Sequence, residues 1–170
     1  AQIAEAIASL KIEGMVLVER QLEPGVTALY DAWHYKIEST CAELLAERVE
    51  KGIDEKYLRA ALCKVGDRVR DLDAQGATVK ELAAEALEVW ATGKKIHLTD
   101  DQKGAAVMAL ISPVSLLTGL PGTGKTTTLE AVVSVIRDMG VPLLLTAPTG
   151  IAAKRMTTVT GKKAFTVHRA

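Results

Sequence analysis

Cysteine is scarce in this chain of 170 residues. Cys41 and Cys63 are 22 residues apart and form no C-x-x-C pair, so the sequence suggests neither a disulfide framework nor a zinc site. The histidines, His34, His97 and His168, are scattered and lack the spacing of metal ligands. Both cysteines are therefore expected to be buried thiols.

Long apolar runs are also missing. No stretch approaches the ~18 consecutive apolar residues of a membrane span, and the N-terminal AQIAEAIASLKIEG lacks the basic-then-apolar pattern of a signal peptide. A hydrophobic fraction of 48% with 25% charged residues is enough to bury a core. The composition predicts a soluble, cytoplasmic, globular protein of one domain or two small ones, with no membrane partner.

Acidic residues are absent from residues 139–170. Residues 1–111 carry 14 basic and 19 acidic residues, a balance of −5, whereas residues 112–170 carry 7 and 2, a balance of +5. This asymmetry favours an anionic partner at the C-terminal end, and a solvated basic face is the alternative. The cations of this stretch are Lys154, Arg155, Lys162, Lys163 and Arg169.

The most specific motif is a phosphate-binding loop in residues 116–131, LLTGLPGTGKTTTLEA. In the spacing Gly119-x-x-x-x-Gly124-Lys125-Thr126, the glycines let backbone N–H groups converge on an anion at the start of a helix. Lys125 would reach the β- and γ-phosphates of a nucleotide, and the Thr126 hydroxyl would coordinate Mg²⁺. These two are the predicted catalytic residues. The other loop residues predicted to bind the nucleotide are Pro121, Gly122, Thr123 and Thr127.

The N-terminal region reads as mainly helical with one hairpin. Residues 15–20 and 26–30 predict two strands around a Pro-Gly turn, and residues 2–10 predict the end of a preceding helix. A winged-helix module ends in this way, but a generic hairpin packed on a helix fits equally well. Apolar spacing predicts further helices at residues 31–51, 55–69 and 79–90, with Trp33 in the core and a turn at residues 71–76.

The C-terminal region reads as α/β. Residues 114–118 and 141–147 predict parallel strands joined through a helix at residues 126–139, which requires a right-handed crossover. A helix at residues 150–158, capped by Thr149, and a short third strand at residues 164–167 follow. A linker at residues 91–98 predicts two domains, residues 1–95 and residues 96–170, with the hairpin near residues 15–30 in the first.

Four segments together are similar to one known family. The segments LTDDQ (98–102), LTGLPGTGKTT (117–127), APTGIAAKR (147–155) and TVHR (166–169) resemble, in order and spacing, the first half of the motor of RecD-like DNA helicases of superfamily 1. The resemblance covers residues 96–170. More weakly, residues 14–47 resemble the hairpin and helix that lead into this motor. The implied fold is a partial RecA-like parallel sheet of the P-loop class.

The resemblance implies a role for several residues. Gln102 corresponds to the glutamine that reads the adenine edge of ATP, although Thr99 and Gln102 also have the spacing of a capping box. Single-stranded DNA is the implied partner, and the complete protein would unwind DNA from 5′ to 3′ in repair or recombination. The residues predicted to contact DNA, from the resemblance and from the basic stretch, are Pro148, Thr149, Gly150, Lys154, Arg155, Thr166 and His168.

Two parts of the family motor have no counterpart in this sequence. Family members continue with an acidic motif at a strand end and with a second, C-terminal motor domain that supplies arginines to the γ-phosphate. Downstream of Thr126 the carboxylates are Glu130 and Asp138, both predicted within the helix after the loop. The chain alone is therefore expected to bind ATP without hydrolysing it. The alternatives are a non-catalytic nucleotide- or DNA-binding module and an AAA-type P-loop ATPase.

Overall fold

The computed structural model describes residues 5–6, 9 and 17–170, and it describes no side chains for residues 17–23 and 26–29. Two compact units divide the chain, Ala1–Lys51 and Gly52–Ala170. Most of the helix predicted at residues 2–10 lies outside the described residues. No described helix is long and apolar enough to cross a membrane.

The first unit contains the predicted hairpin and helix. Strands β1 (Leu17–Glu23) and β2 (Val26–Asp31) pair antiparallel, and helix α1 (Ala32–Lys51) follows directly. The Asp31 carboxylate accepts hydrogen bonds from the backbone N–H groups of Trp33, at 3.0 Å, and His34, at 3.1 Å, and thereby caps α1. The bond from His34 lowers the pKa of Asp31. The hairpin is confirmed, whereas the winged-helix interpretation stays a prediction.

Helix α1 buries none of its residues. Trp33 is 68% exposed and Cys41 is also exposed, so the predictions of a core tryptophan and of a buried Cys41 are wrong. The amphipathic pattern identified the helix correctly. Within its unit, however, the described residues offer only a two-stranded hairpin as a partner, which is too small to cover an apolar helix face.

Five helices of the second unit share one hydrophobic core. They are α2 (Glu55–Leu62), α3 (Asp67–Ala74), α4 (Val79–Lys94), α5 (Asp100–Ile111) and α6 (Lys125–Asp138). The helix predicted at residues 55–69 is thus two helices, and α3 extends into the predicted turn at residues 71–76. Helix α4 begins with a capping box in which the Thr78 hydroxyl and backbone N–H bond the Glu81 carboxylate and lower the pKa of Glu81.

The domain division predicted near residue 95 does not coincide with the two compact units, which divide after Lys51. Helix α4 packs against α5 and α6, so that Leu82, Leu87, Leu110 and Val135 belong to the same buried cluster. This packing joins helices from both sides of the predicted linker. The assignment of residues 96–170 to a separate RecA-like domain stays a prediction.

A small parallel sheet completes the second unit. Strands β3 (Leu145–Ala147) and β4 (Ala164–Thr166) pair in parallel and are joined through helix α7 (Gly150–Thr160), and a 3₁₀ turn, Val167–Arg169, follows. An α/β arrangement is therefore present, although only the last three residues of the strand predicted at 141–147 form it.

The strand predicted at residues 114–118 is wrong, and so is the crossover from it through α6. This segment forms no strand, and Leu116 is 89% exposed. A strand needs a neighbour that accepts and donates its backbone hydrogen bonds. No described strand pairs with residues 114–118.

Candidate nucleotide-binding site

The phosphate loop ends at the first turn of α6. Gly124 has φ +81°, a left-handed conformation that favours glycine, and α6 begins at the next residue, Lys125. No side chain caps this helix N-terminus. Because the first-turn N–H groups have no intrahelical acceptor, and because the helix dipole is positive there, this end of α6 is suited to bind an anion.

Lys125 lies across the loop that precedes it. Its ammonium group donates to the carbonyl oxygens of Gly119 and Leu120, both at 2.6 Å. The Thr123 hydroxyl also donates to the Leu120 carbonyl, at 2.9 Å, which closes the turn. An ammonium group has three donors, so Lys125 keeps one for a phosphate oxygen even in this arrangement.

Gln102 connects the start of α5 to the phosphate loop. Its side-chain oxygen accepts from the Thr99 N–H at 3.1 Å, and the Thr99 hydroxyl accepts from the Gln102 N–H at 3.3 Å, so the predicted capping box is confirmed. The Gln102 amide nitrogen donates to the Thr123 carbonyl at 3.3 Å. The second amide hydrogen and the second lone pair stay available, and an adenine contact is therefore compatible with the cap.

A cleft of about 520 Å³ lies between the start of α5 and the phosphate loop. That volume is within the range of ligand sites for small molecules. The cleft brings together Gln102, Gly119, Gly122, Thr123 and Lys125, all predicted from the sequence. It also adds residues that were not predicted to bind the nucleotide: Thr99, Asp101, Leu117 and Thr118, which lie within the four segments that resemble RecD-like helicases, and Ala105 and Thr128, which lie outside them.

A second cleft, of about 670 Å³, lies between the phosphate loop and α7. Pro121, Gly124, Lys125 and Thr126 line it. Thr126 is exposed, which leaves its hydroxyl accessible to a cation. Thr127, in contrast, lines neither cleft.

Mg²⁺ fits this site only as part of a nucleotide complex. No described residues form a group of three His, Cys, Asp or Glu side chains that could hold a metal. Glu130 lies 3.4 Å from the Lys94 ammonium and Asp138 accepts from Arg137 at 3.3 Å, so these two carboxylates of α6 are engaged elsewhere. A single threonine hydroxyl, with phosphate oxygens and water as the other ligands, is a set that Mg²⁺ accepts.

A third groove, of about 400 Å³, lies between α7 and β4. Gly150, Lys154 and Thr166 of the predicted DNA contacts line it, together with Lys163 and Arg169. The Lys163 ammonium also lies 5.1 Å from the centre of the Phe165 ring.

The other predicted DNA contacts lie outside this groove. Thr149 accepts from the Ala152 N–H at 3.3 Å, which confirms it as the cap of α7. Pro148, Thr149 and His168 are exposed, and Arg155 lines the cleft beside the phosphate loop instead. The structure thus brings only part of the predicted set together.

Comparison with known proteins finds relatives of the segment that contains the phosphate loop. Residues 102–170 match a family model described as an AAA domain. The chain is 44% identical over 82 residues to the ATP-dependent RecD2 DNA helicase of Deinococcus radiodurans, a match that covers 47% of this chain and 12% of the relative. It is 46% identical over 66 residues to the RecD subunit of the RecBCD enzyme of Haemophilus influenzae, which covers 37% of this chain and 10% of the relative. The matched segment is thus similar to RecD-type helicases, and it is called the RecD-like segment below.

A third relative gives the same result. The RecD subunit of the RecBCD enzyme of Mycobacterium tuberculosis is 44% identical over 64 residues, or 34% of this chain and 11% of the relative. Each match therefore covers only about a tenth of the length of these curated relatives. No solved structure gives a significant match.

A glycine substitution tests the contact between Gln102 and the loop of the RecD-like segment. At Gly124 a Cβ atom would overlap the Gln102 amide nitrogen, whereas at Gly122, with φ +84°, nothing lies within 4 Å. Both Gly→Ala changes should cost roughly 1–2 kcal/mol of unfolding free energy because alanine disfavours positive φ. Gly124→Ala should cost up to about 1 kcal/mol more than Gly122→Ala, because the Gln102 amide must move and give up its bond to Thr123, and Gln102→Ala should remove that difference.

The measurement is urea unfolding of the single and double variants, with Gly122→Ala as the matched control. Equal losses for the two glycine variants, with no rescue by Gln102→Ala, would contradict the described contact.

Proposed function

We propose that the chain is the N-terminal region and part of the first RecA-like motor domain of an ATP-dependent DNA helicase that moves from 5′ to 3′. The observation that carries this proposal is the hydrogen bond from Gln102 to Thr123, which joins the predicted adenine-reading residue to the phosphate loop inside a RecD-like segment. A phosphate loop alone would suit many nucleotide-binding proteins.

ATP would occupy the cleft between α5 and the loop. Gln102 would contact the adenine edge, the loop amides would hold the α- and β-phosphates, and Lys125 would meet the β- and γ-phosphates. Mg²⁺ would neutralise charge on the phosphates and would be held by the Thr126 hydroxyl. The remaining loop residues would shape the cradle: Gly119, Pro121, Gly122, Thr123, Gly124 and Thr127.

Single-stranded DNA would follow the basic groove between α7 and β4. The cations of residues 139–170 form no ion pair with a carboxylate in the described part of the chain, which leaves them available to phosphates. Contacts of this kind position the strand without reading its sequence. The DNA-binding path would continue over three exposed residues that are close in sequence to the groove: Pro148, Thr149 and His168.

Hydrolysis and translocation would require more than this chain supplies. In the described residues, the carboxylates downstream of the loop, Glu130 and Asp138, contact Lys94 and Arg137 and line neither cleft. We propose that the second motor domain belongs to the same, longer protein, which would act in the cytoplasm. The chain by itself would bind ATP and leave it intact.

One observation favours a second candidate. The matched family model is described as an AAA domain, and an AAA-type ATPase could share this loop. Such an enzyme would hydrolyse ATP without a response to single-stranded DNA, and a non-catalytic module would not hydrolyse it at all. The response of hydrolysis to DNA, measured in the longer protein, therefore separates all three candidates.

Neutralising the groove tests the DNA partner. Lys154→Ala should weaken binding of single-stranded DNA by the 170-residue chain and should reduce the slope of log affinity against log salt by about 0.7, because one fewer counterion-releasing contact is made. Lys80→Ala, an exposed lysine at the start of α4, is the control and should change neither quantity. Fluorescence anisotropy at several salt concentrations measures both. If Lys154→Ala leaves the slope unchanged, the groove does not bind DNA through Lys154 and is a solvated basic surface.

A further inference from the structure

Two consecutive cations of α7 line different clefts. Lys154 lines the groove between α7 and β4, together with Lys163, Thr166 and Arg169. Arg155 lines the cleft between α7 and the phosphate loop, together with Lys125 and Thr126. Successive residues of an α-helix point about 100° apart, so neighbours in sequence can serve separate surfaces. The sequence predicted that both residues contact DNA, but the structure places their side chains in separate clefts.

The cleft beside Arg155 has the character of an anion site. None of its lining residues is acidic, and Arg155 forms no ion pair with a carboxylate in the described part of the chain. Leu129, Met156 and Val159 add apolar side chains to its lining. Apolar neighbours lower the local dielectric constant and thereby strengthen the attraction between a guanidinium group and an anion.

The position of Thr126 indicates which anion would enter. Lys125 and Thr126 both line this cleft; Lys125 would meet the β- and γ-phosphates, and Thr126 would hold the Mg²⁺ that neutralises their charge. The terminal phosphate of a bound nucleoside triphosphate would therefore face the side of the loop on which Arg155 lies. A planar guanidinium group can donate two parallel hydrogen bonds to phosphate oxygens.

We propose that Arg155 binds the terminal phosphate of the nucleotide held by the phosphate loop, whereas Lys154 binds nucleic acid. This inference rests on the proposed function, because it takes the loop to hold ATP. It adds Arg155, a residue of α7 outside the loop, to the nucleotide-binding residues. It also removes Arg155 from the residues predicted to contact DNA.

The test is calorimetric titration of the 170-residue chain with Mg–ATP and Mg–ADP. Arg155→Ala should lower ATP affinity by about tenfold or more, the usual effect of a lost charged hydrogen bond, and should change ADP affinity by less than about twofold. Arg155→Lys should restore part of the ATP affinity, because it keeps the charge but not the paired donors. Single-stranded DNA binding by Arg155→Ala should match the wild type.

Reference variants make the failures distinguishable. Lys154→Ala should show the reciprocal result, with weaker DNA binding, and Lys80→Ala controls for loss of an exposed cation. Circular dichroism checks that each variant is folded. If Lys125→Ala loses ATP affinity and Arg155→Ala does not, or if Arg155→Ala loses ATP and ADP equally, the inference is overturned and the proposed function stands. If Lys125→Ala binds ATP like the wild type, the proposed function fails and the inference fails with it.

Discussion

Lys125→Ala should lower the affinity of the chain for Mg–ATP by roughly a hundredfold, equivalent to about 2.7 kcal/mol. The ammonium group lies at the centre of the loop, 2.6 Å from the carbonyl oxygens of Gly119 and Leu120. Its removal deletes the charge that would meet the β- and γ-phosphates and also loosens the turn. Isothermal titration calorimetry measures this affinity directly.

Two comparisons make the Lys125 result specific. Lys94→Ala removes a lysine of the same unit whose partner is Glu130, away from the clefts, and should leave ATP affinity unchanged. Thr126→Ala should weaken ATP binding only when Mg²⁺ is present. Equal ATP binding by the wild type and Lys125→Ala would contradict the nucleotide site.

A longer protein that contains this segment should unwind a duplex with a 5′ single-stranded tail and fail on a duplex with only a 3′ tail. Translocation needs a nucleotide clamped between two motor domains, so that hydrolysis opens and closes the cleft between them. Lys125→Ala in that longer protein should abolish unwinding, because it removes the proposed contact with the β- and γ-phosphates on which ATP binding and hydrolysis depend. A strand-displacement assay on the two tailed duplexes measures this.

The predicted direction of movement is based only on the similarity of this segment to RecD-type helicases. A preference for the 3′ tail would contradict the proposed family role and leave the phosphate loop intact as a nucleotide site. Unwinding that survives Lys125→Ala would contradict the role of the loop itself.

Local chemistry made much of the candidate site predictable. The glycine spacing, the helix start at Lys125, and the capping residues Thr99 and Thr149 each depend on a few neighbouring residues, and the structure has all of them. Gln102 was predicted in two roles, and its hydrogen bonds establish the capping role while the adenine contact stays a prediction.

Features that depend on distant partners were less predictable. Residues 114–118 have the composition of a buried strand, but no described strand pairs with them. Helix α1 has a clear apolar face that its own unit leaves exposed. The linker near residue 95 looked like a boundary in sequence, yet α4 packs on α5 and α6 across it. Periodicity identifies an element, whereas its partners are fixed only by tertiary packing.

The separation of Lys154 from Arg155 illustrates the same limit at the site. Both are cations in one basic stretch, and charge counting treats them alike. Their assignment to different clefts depends on how α7 packs between β4 and the phosphate loop.

The rate of ATP hydrolysis by the longer protein, measured with and without single-stranded DNA, tests most directly whether the segment belongs to a DNA-driven motor. We expect slow hydrolysis without DNA, an increase of at least about tenfold when single-stranded DNA is added, and loss of both rates in Lys125→Ala. Hydrolysis that proceeds at the same rate with and without DNA would contradict the helicase proposal and favour an AAA-type ATPase.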